Sequence, residues 1–152
     1  GTFGVRSSAN RPNTWKQPLL SEPGAPLFEY AGHGQDFDVR LFTSLVYQRD
    51  RFDVGLNWRY YPEALAAARV QTPESTVLPT EEYNLFNLNA SYRFNERLRL
   101  RGGIDNLLDE DPPLTGANPF HPTQPTNGTG NTDRGTYDVL GRRYYVGIAM
   151  DF

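Results

Sequence analysis

The 152-residue chain contains no cysteine and no long hydrophobic run. The absence of cysteine excludes disulfide frameworks, thiol catalysis and zinc sites with cysteine ligands. The longest uninterrupted apolar run, Ala64 to Ala68, is far shorter than the roughly 20 residues that a membrane helix requires. The opening stretch, Gly1 to Leu20, lacks the charged-then-apolar pattern of a signal segment. A protein that spans a membrane with helices is therefore excluded, whereas a membrane β-barrel is not.

The chain also lacks an excess of positive charge. Its 15 basic and 18 acidic side chains give a net charge of −3, which provides no basic surface for nucleic acid. What it has instead is 13% aromatic residues, 14 glycines and 12 prolines at a mean hydropathy of −0.63. Bulky apolar side chains are thus distributed through a polar chain, which directs attention to their periodicity.

Apolar residues recur at every second position in several segments, as expected for β-strands with one apolar face. The alternation is clearest where Phe52, Val54, Leu56, Trp58 and Tyr60 are interleaved with mostly polar residues. About five strands are predicted in this way, over 37–47, 52–61, 86–94, 98–105 and 144–152. The opposite face carries many charges, among them Arg40, Arg59, Arg93, Arg99, Arg101, Asp38, Asp53 and Asp105.

Short and long connections alternate between these strands. The sequence predicts a loop over 1–36, a hairpin over 37–61, a loop over 62–82, a hairpin over 83–107, a loop over 108–136 and a terminal strand within 137–152. In an antiparallel meander, successive connections lie at opposite ends of the sheet, so all three long loops fall at one end. Long loops on one side and short turns on the other are typical of outer-membrane barrels.

Soluble alternatives fit these features less well. A small soluble barrel would have to bury the charged face, which is costly, whereas a wide water-filled lumen accommodates it. A secreted β-sandwich binding module with one solvated face remains an alternative. About five strands are too few for a barrel, which needs at least eight, and open edges in lipid would leave backbone groups unsatisfied. We therefore expect the chain to be a segment of a larger barrel.

Two motifs resemble those of a known family, the TonB-dependent outer-membrane receptors. The segment Gly141 to Phe152 looks like the last strand of these receptors, and Gly103 to Pro112 resembles the G-x-D-N-L-F-D-x-x-P segment that precedes it. Phe37 to Tyr61 resembles an earlier hairpin, so that the resemblance covers about 37–61 and 83–152.

The resemblance implies that the chain is the carboxy-terminal part of a 22-stranded transmembrane barrel with long extracellular loops, in the outer membrane of a Gram-negative bacterium. The plug domain of the family and its short energy-coupling box are absent from the chain. The parent protein would be an active transporter, not an enzyme, that binds a scarce nutrient such as a ferric siderophore, cobalamin or an oligosaccharide. Its expected partners are outer-membrane lipid, the barrel-assembly machinery, an inner-membrane TonB-type protein and the small nutrient ligand. A passive porin or an adhesin barrel is the main alternative.

The sequence offers few residues for site chemistry. Ser44 and Ser91 have no adjacent histidine, and Asp109, Glu110 and Asp111 lack the alternate spacing of a calcium loop. We expect no catalytic residue, no metal site and no cofactor. His121 and Arg134, both in a predicted extracellular loop, are candidates for contact with substrate. The residues expected to act as an assembly signal are the alternate apolar residues of the last strand, Tyr144, Val146, Ile148, Met150 and Phe152.

Overall fold

A computed structural model of the chain describes residues 1–11, 14, 16–18, 24–34, 36–66, 68–75, 77–114 and 132–150. The strands are β1 (Thr2–Asn10), β2 (Lys16–Pro18), β3 (Leu27–Glu29), β4 (Arg40–Arg49), β5 (Phe52–Tyr61), β6 (Tyr83–Arg93), β7 (Leu98–Asp105) and β8 (Arg143–Met150). One helical turn, α1 (Ala68–Gln71), lies between β5 and β6. No helix in these ranges is long and apolar enough to cross a membrane.

Six strands form one antiparallel sheet in the order β1-β4-β5-β6-β7-β8, and β2 pairs with β3 in a separate hairpin. The predicted all-β antiparallel meander is therefore confirmed. In the described part of the chain, β1 and β8 each have one neighbour in the sheet, so both outer edges remain open.

The strand count corrects one prediction from the sequence. The sequence predicts a loop over 1–36, but the structure forms β1 there, and β1 pairs with β4 from Thr2 opposite Gln48 to Asn10 opposite Arg40. The strand escapes recognition because Phe3 and Val5 are followed on the same face by the small residues Ser7 and Ala9. Backbone pairing with β4 holds β1 in the sheet although its side chains form no continuous apolar face. A 3.0 Å hydrogen bond between the Ser7 and Thr43 hydroxyls adds to this pairing.

The connections still alternate between short and long as predicted, although their boundaries differ from the predicted ones. Short turns join β4 to β5 and β6 to β7, whereas long connections join β1 to β4, β5 to β6 and β7 to β8. We call the two ends of the sheet the short-turn end and the long-connection end. The strand predicted from Phe37 begins at Arg40 instead, because Phe37 is buried in a side-chain cluster, and the last connection continues to Arg142.

The strand register places the apolar residues on one face of the sheet. Leu45 lies opposite Leu56, Leu56 opposite Leu88, and Leu88 opposite Ile104. The apolar side chains of β8 lie on this same face and are largely exposed, up to 78% for Val146. We call it the apolar face; it holds Leu41, Leu45, Val54, Leu56, Leu88, Leu100, Val146 and Ile148.

The other face, the polar face, carries the charged and amide side chains. Asn57 lies opposite Asn87, Ser91 lies opposite Arg101, and the Ser91 hydroxyl donates to Asp53 at 3.1 Å. Glycines make room for large polar groups on this face: a Cβ added at Gly55 would lie 2.8 Å from Asn89 Oδ1. The sheet thus separates an apolar surface from a polar one, as a barrel wall between lipid and a wet lumen requires.

Candidate functional site

Three long connections meet at one place, over the polar face at the long-connection end. Tyr61 and Tyr83 are cross-strand partners at the ends of β5 and β6, and Phe37 and Tyr137 reach them from the neighbouring connections. Phe37 is 2% exposed and Tyr83 1% exposed, whereas most of the described chain is at least partly exposed. The buried core of the described residues therefore lies where the connections join the sheet.

The rings in this aromatic cluster (Phe37, Tyr61, Tyr83 and Tyr137) contact one another edge to face or tilted. The Tyr83 and Tyr137 centroids are 5.3 Å apart, and those of Phe37 and Tyr61 are 5.4 Å apart. Such arrangements contribute about 0.5–1.5 kcal/mol for each pair beyond the burial of apolar area. The cluster therefore fixes the loop residues Phe37 and Tyr137 against β5 and β6.

The segment before Tyr137 is folded by its own hydrogen bonds. The Asp133 side chain accepts from the Gly135 N–H at 2.9 Å, and the Asp133 carbonyl accepts from the Tyr137 N–H at 2.9 Å. The Thr132 hydroxyl donates to the Pro113 carbonyl, which joins the two flanks of the region 115–131. Burial raises the pKa of Tyr137, so this phenol stays neutral over the physiological range.

A salt bridge attaches the same segment to the last strand. Arg143 donates from both terminal nitrogens to the two carboxylate oxygens of Asp138, each at 2.9 Å, and Asp105 lies 3.8 Å from Arg143. The Asp138 side chain is 12% exposed, and its Oδ1 also accepts from the Leu140 N–H at 3.0 Å. The hydrogen bonds from Arg143 are the main reason that the pKa of Asp138 lies below its ordinary value of 3.8. We refer to residues 132–143 as the strap.

The turn after β7 is built on Asn106, which has no exposed surface. Its side-chain amide donates to the Glu110 carbonyl at 2.9 Å and accepts from the Glu110 N–H at 2.8 Å. Its backbone N–H donates to Asn87 Oδ1 at 2.9 Å. Asp109, three residues later, accepts from the Arg142 N–H at 2.9 Å and so connects this turn to the strap. These bonds explain why a strand end would carry Asn and Asp at these positions.

The structure describes some of the candidate residues predicted from the sequence and not others. Arg134 is exposed in the turn that Asp133 closes, beside the strap's buried residues. His121 and Phe152 lie outside the described residues. Tyr144, Val146, Ile148 and Met150 share the exposed apolar face of β8. Among the described residues, no group of three His, Cys, Asp or Glu side chains is arranged to hold a metal.

Sequence reasoning missed the Asp138–Arg143 pair and the burial of Tyr137. The available signal was local: opposite charges five residues apart on either side of Gly141, whose φ is +68°. A glycine in that conformation marks a sharp change of direction. Such a reversal brings side chains on its two sides together.

A family model described as TonB dependent receptor-like, beta-barrel matches residues 29–107, more than half of the chain. The match includes β4 to β7 and confirms the resemblance to TonB-dependent receptors seen in the sequence. No curated protein and no solved structure matches the chain at a significant level.

Proposed function

This chain belongs to the TonB-dependent receptor-like β-barrel family, and on that premise we propose that it is the carboxy-terminal barrel segment of an outer-membrane active transporter. Outer-membrane transport is what the family performs in general. The parent protein would bind a scarce nutrient in its outer loops and import it with energy from the inner membrane. The energy would arrive through a TonB-type protein that contacts the parent protein's amino-terminal part.

The observation that carries the proposal is the anchoring of long connections at one end of the sheet. The aromatic cluster and the Asp138–Arg143 pair attach these connections to the polar face, while the two short turns at the other end carry no comparable layer. Long loops held against a rigid sheet are suited to binding a ligand, because binding residues are typically on loops that a scaffold positions. A ferric siderophore, cobalamin or an oligosaccharide is the substrate class we propose.

Arg134 in the strap and His121, which lies outside the described residues, are our candidates for ligand contact. Arg134 is exposed on a turn whose backbone is fixed by Asp133, so its guanidinium can meet an anionic or hydroxyl-rich ligand without reorganising the loop. His121 belongs to the same connection of the chain.

A transport assay separates this proposal from the passive porin alternative. Cells carrying the full-length receptor would be given a radiolabelled ferric siderophore, cyanocobalamin or a maltooligosaccharide, with and without a protonophore. We expect one of these probes to bind with the protonophore present and to be imported only in its absence. Import that is insensitive to the protonophore would instead indicate a porin and contradict the proposal.

The same assay tests the loop candidates. Arg134→Gln should weaken binding of the imported probe about tenfold, as expected for loss of a charge-assisted hydrogen bond. Arg142→Gln is the matched control, because Arg142 is also exposed at the long-connection end and the charge change is identical. Equal effects of the two substitutions would remove Arg134 from the proposed contact.

A further inference from the structure

Aromatic rings and guanidinium groups lie at the short-turn end of the apolar face. These groups surround a recess of about 410 Å³. The recess is lined by the residues that we call the basic-aromatic rim, Tyr47, Arg49, Asp50, Arg51, Phe52 and Tyr92.

The register places one of the arginines on the apolar face itself. Arg49 lies opposite Phe52, and Phe52 lies opposite Tyr92, so the three form one row across β4, β5 and β6. The Arg49 side chain is 69% exposed, and its one described ion pair is with Asp50 at 3.8 Å, a residue that is 88% exposed. Pairs this exposed are worth little, so Asp50 does not neutralise the attraction of Arg49 for an anion.

Arg51 is held in place by the neighbouring turn. Its Nη1 donates to the Phe94 carbonyl at 2.8 Å, and its own carbonyl accepts from the Arg93 N–H at 2.8 Å. The guanidinium carries five N–H donors in a planar fork, and this bond uses one of them. Arg51 therefore lines the same recess as Arg49 with four N–H donors outside this bond.

The order of residues along the apolar face matches the order of groups in a phospholipid. Arg49, Phe52 and Tyr92 form the row nearest the short turns, where Arg51 lines the same recess, and aliphatic residues such as Leu56 lie further along the strands. Aromatic rings favour the membrane–water interface, and arginine forks match the geometry of phosphate.

We propose that the basic-aromatic rim binds the phosphate headgroup of an anionic glycerophospholipid in the leaflet at the short-turn end. The acyl chains would lie over Phe52, Tyr92 and the aliphatic residues beyond them. This inference rests on the proposed function, because it requires the apolar face to contact outer-membrane lipid. It goes further by assigning one lipid class to one site.

The experiment uses the purified full-length receptor in detergent micelles, titrated with phosphatidylglycerol or phosphatidylcholine and observed by native mass spectrometry. Wild-type receptor should bind phosphatidylglycerol more tightly. R49Q/R51Q should weaken that binding roughly 25-fold, from about 5-fold for each arginine near the membrane surface. The control R93Q/R99Q removes two arginines that are cross-strand partners on the polar face at the same end, and it should leave binding unchanged.

Asp50→Asn tests the site through an expected gain of binding, which a misfolded variant would not show. Asp50 lines the recess, so its carboxylate repels a phosphate bound there, and removing this charge should strengthen phosphatidylglycerol binding severalfold. Asparagine tolerates the positive φ of 53° at this position. Unchanged or weaker binding by a folded Asp50→Asn receptor would contradict the role of Arg49.

Three other results would overturn the inference. They are an absence of lipid preference in the wild type, an equal loss in R93Q/R99Q, and a preference for lipopolysaccharide that R49Q/R51Q abolishes, since that lipid belongs to the opposite leaflet. Failure of the proposed function is distinguishable, because it would appear as a receptor that does not fractionate with the outer membrane or import any probe.

Discussion

Asn106 illustrates how one residue can carry a sequence motif. Its φ of +52° is uncommon for a residue with a side chain, and its amide satisfies both backbone groups of Glu110 from a fully buried position. Asparagine combines tolerance of this conformation with one donor and one acceptor. The segment Asp105 to Asp109 therefore has a structural role, because Asn106 holds the turn after β7. Considering its carboxylates as possible metal ligands does not identify this role.

Replacing Asn106 separates the two contributions. Asn106→Ala should destabilise the full-length receptor by about 2–4 kcal/mol, because buried backbone groups lose their partners and alanine disfavours positive φ. Asn106→Gly loses the same hydrogen bonds without the conformational penalty, so it should cost about 1 kcal/mol less. Urea-unfolding midpoints of receptor folded in lipid vesicles measure both. An alanine variant as stable as the glycine variant would show that the backbone conformation costs nothing.

Leu56 and Asn57 are adjacent in the chain but lie on opposite faces near the middle of β5. Leu56→Arg should cost roughly 2–4 kcal/mol, the penalty for a guanidinium at the lipid-facing centre of a barrel strand. Asn57→Arg should cost much less, because water reaches the polar face. The same urea titration measures the two free energies. Equal costs would mean that the assignment of faces is wrong.

At the scale of elements, the periodicity of apolar residues predicted five strands and the alternation of their connections. It could not predict β1, whose apolar face stops after Val5, because pairing with β4 depends on backbone hydrogen bonds that have no side-chain signature. It also could not predict the strap, since contacts between Tyr137 and residues far away in sequence depend on the folded path of the chain. The local pattern of apolar residues thus predicts the strands well, but it predicts poorly how the loops attach to them.

The strap should respond to acid through Asp138. Arg143 lowers the pKa of this carboxyl in the folded state, so the stabilisation is complete above the ordinary pKa of 3.8 and is lost as the pH falls through the lowered value. Hydrogen exchange across residues 133–141, corrected for intrinsic rates, should therefore be constant from about pH 7 to 5 and increase below about pH 4.

Asp138→Asn is the control for the strap. It should raise exchange at neutral pH and remove most of the acid dependence, because amide nitrogen and oxygen cannot both accept from Arg143. An asparagine variant with the wild-type acid response would assign the effect to other carboxyl groups.

At the scale of the whole molecule, the sheet has one apolar and one polar face, and the described part leaves β1 and β8 as edges. Unpaired strand edges leave backbone groups unsatisfied in lipid, so the proposed membrane location requires a neighbouring strand at each edge. The family match over 29–107 agrees with a piece of a barrel wall, whereas strand periodicity does not describe the loops.

Phe152, which lies outside the described residues, should act in assembly. We expect Phe152→Asp, or deletion of Phe152, to reduce insertion of the full-length receptor, because the last strand's alternate apolar side chains would be recognised by the assembly machinery through strand addition. Ligand binding per inserted receptor should be nearly unchanged, since β8 ends at the short-turn end, away from the long connections. Surface-exposed receptor and bound probe are measured together, with Phe152→Tyr as the conservative control. Normal insertion with weakened binding would contradict this assignment.

We expect the long connections to face the cell exterior and the short turns to face the periplasm. The chain has no cysteine, so a single introduced cysteine serves as a reporter once any cysteines elsewhere in the parent protein are removed. Glu74 lies exposed in the β5–β6 connection, and Glu96 lies exposed in the β6–β7 turn. On intact cells, a large membrane-impermeant maleimide should label Glu74→Cys and should label Glu96→Cys only after the outer membrane is permeabilised. Labelling of Glu96→Cys but not of Glu74→Cys on intact cells would contradict the account.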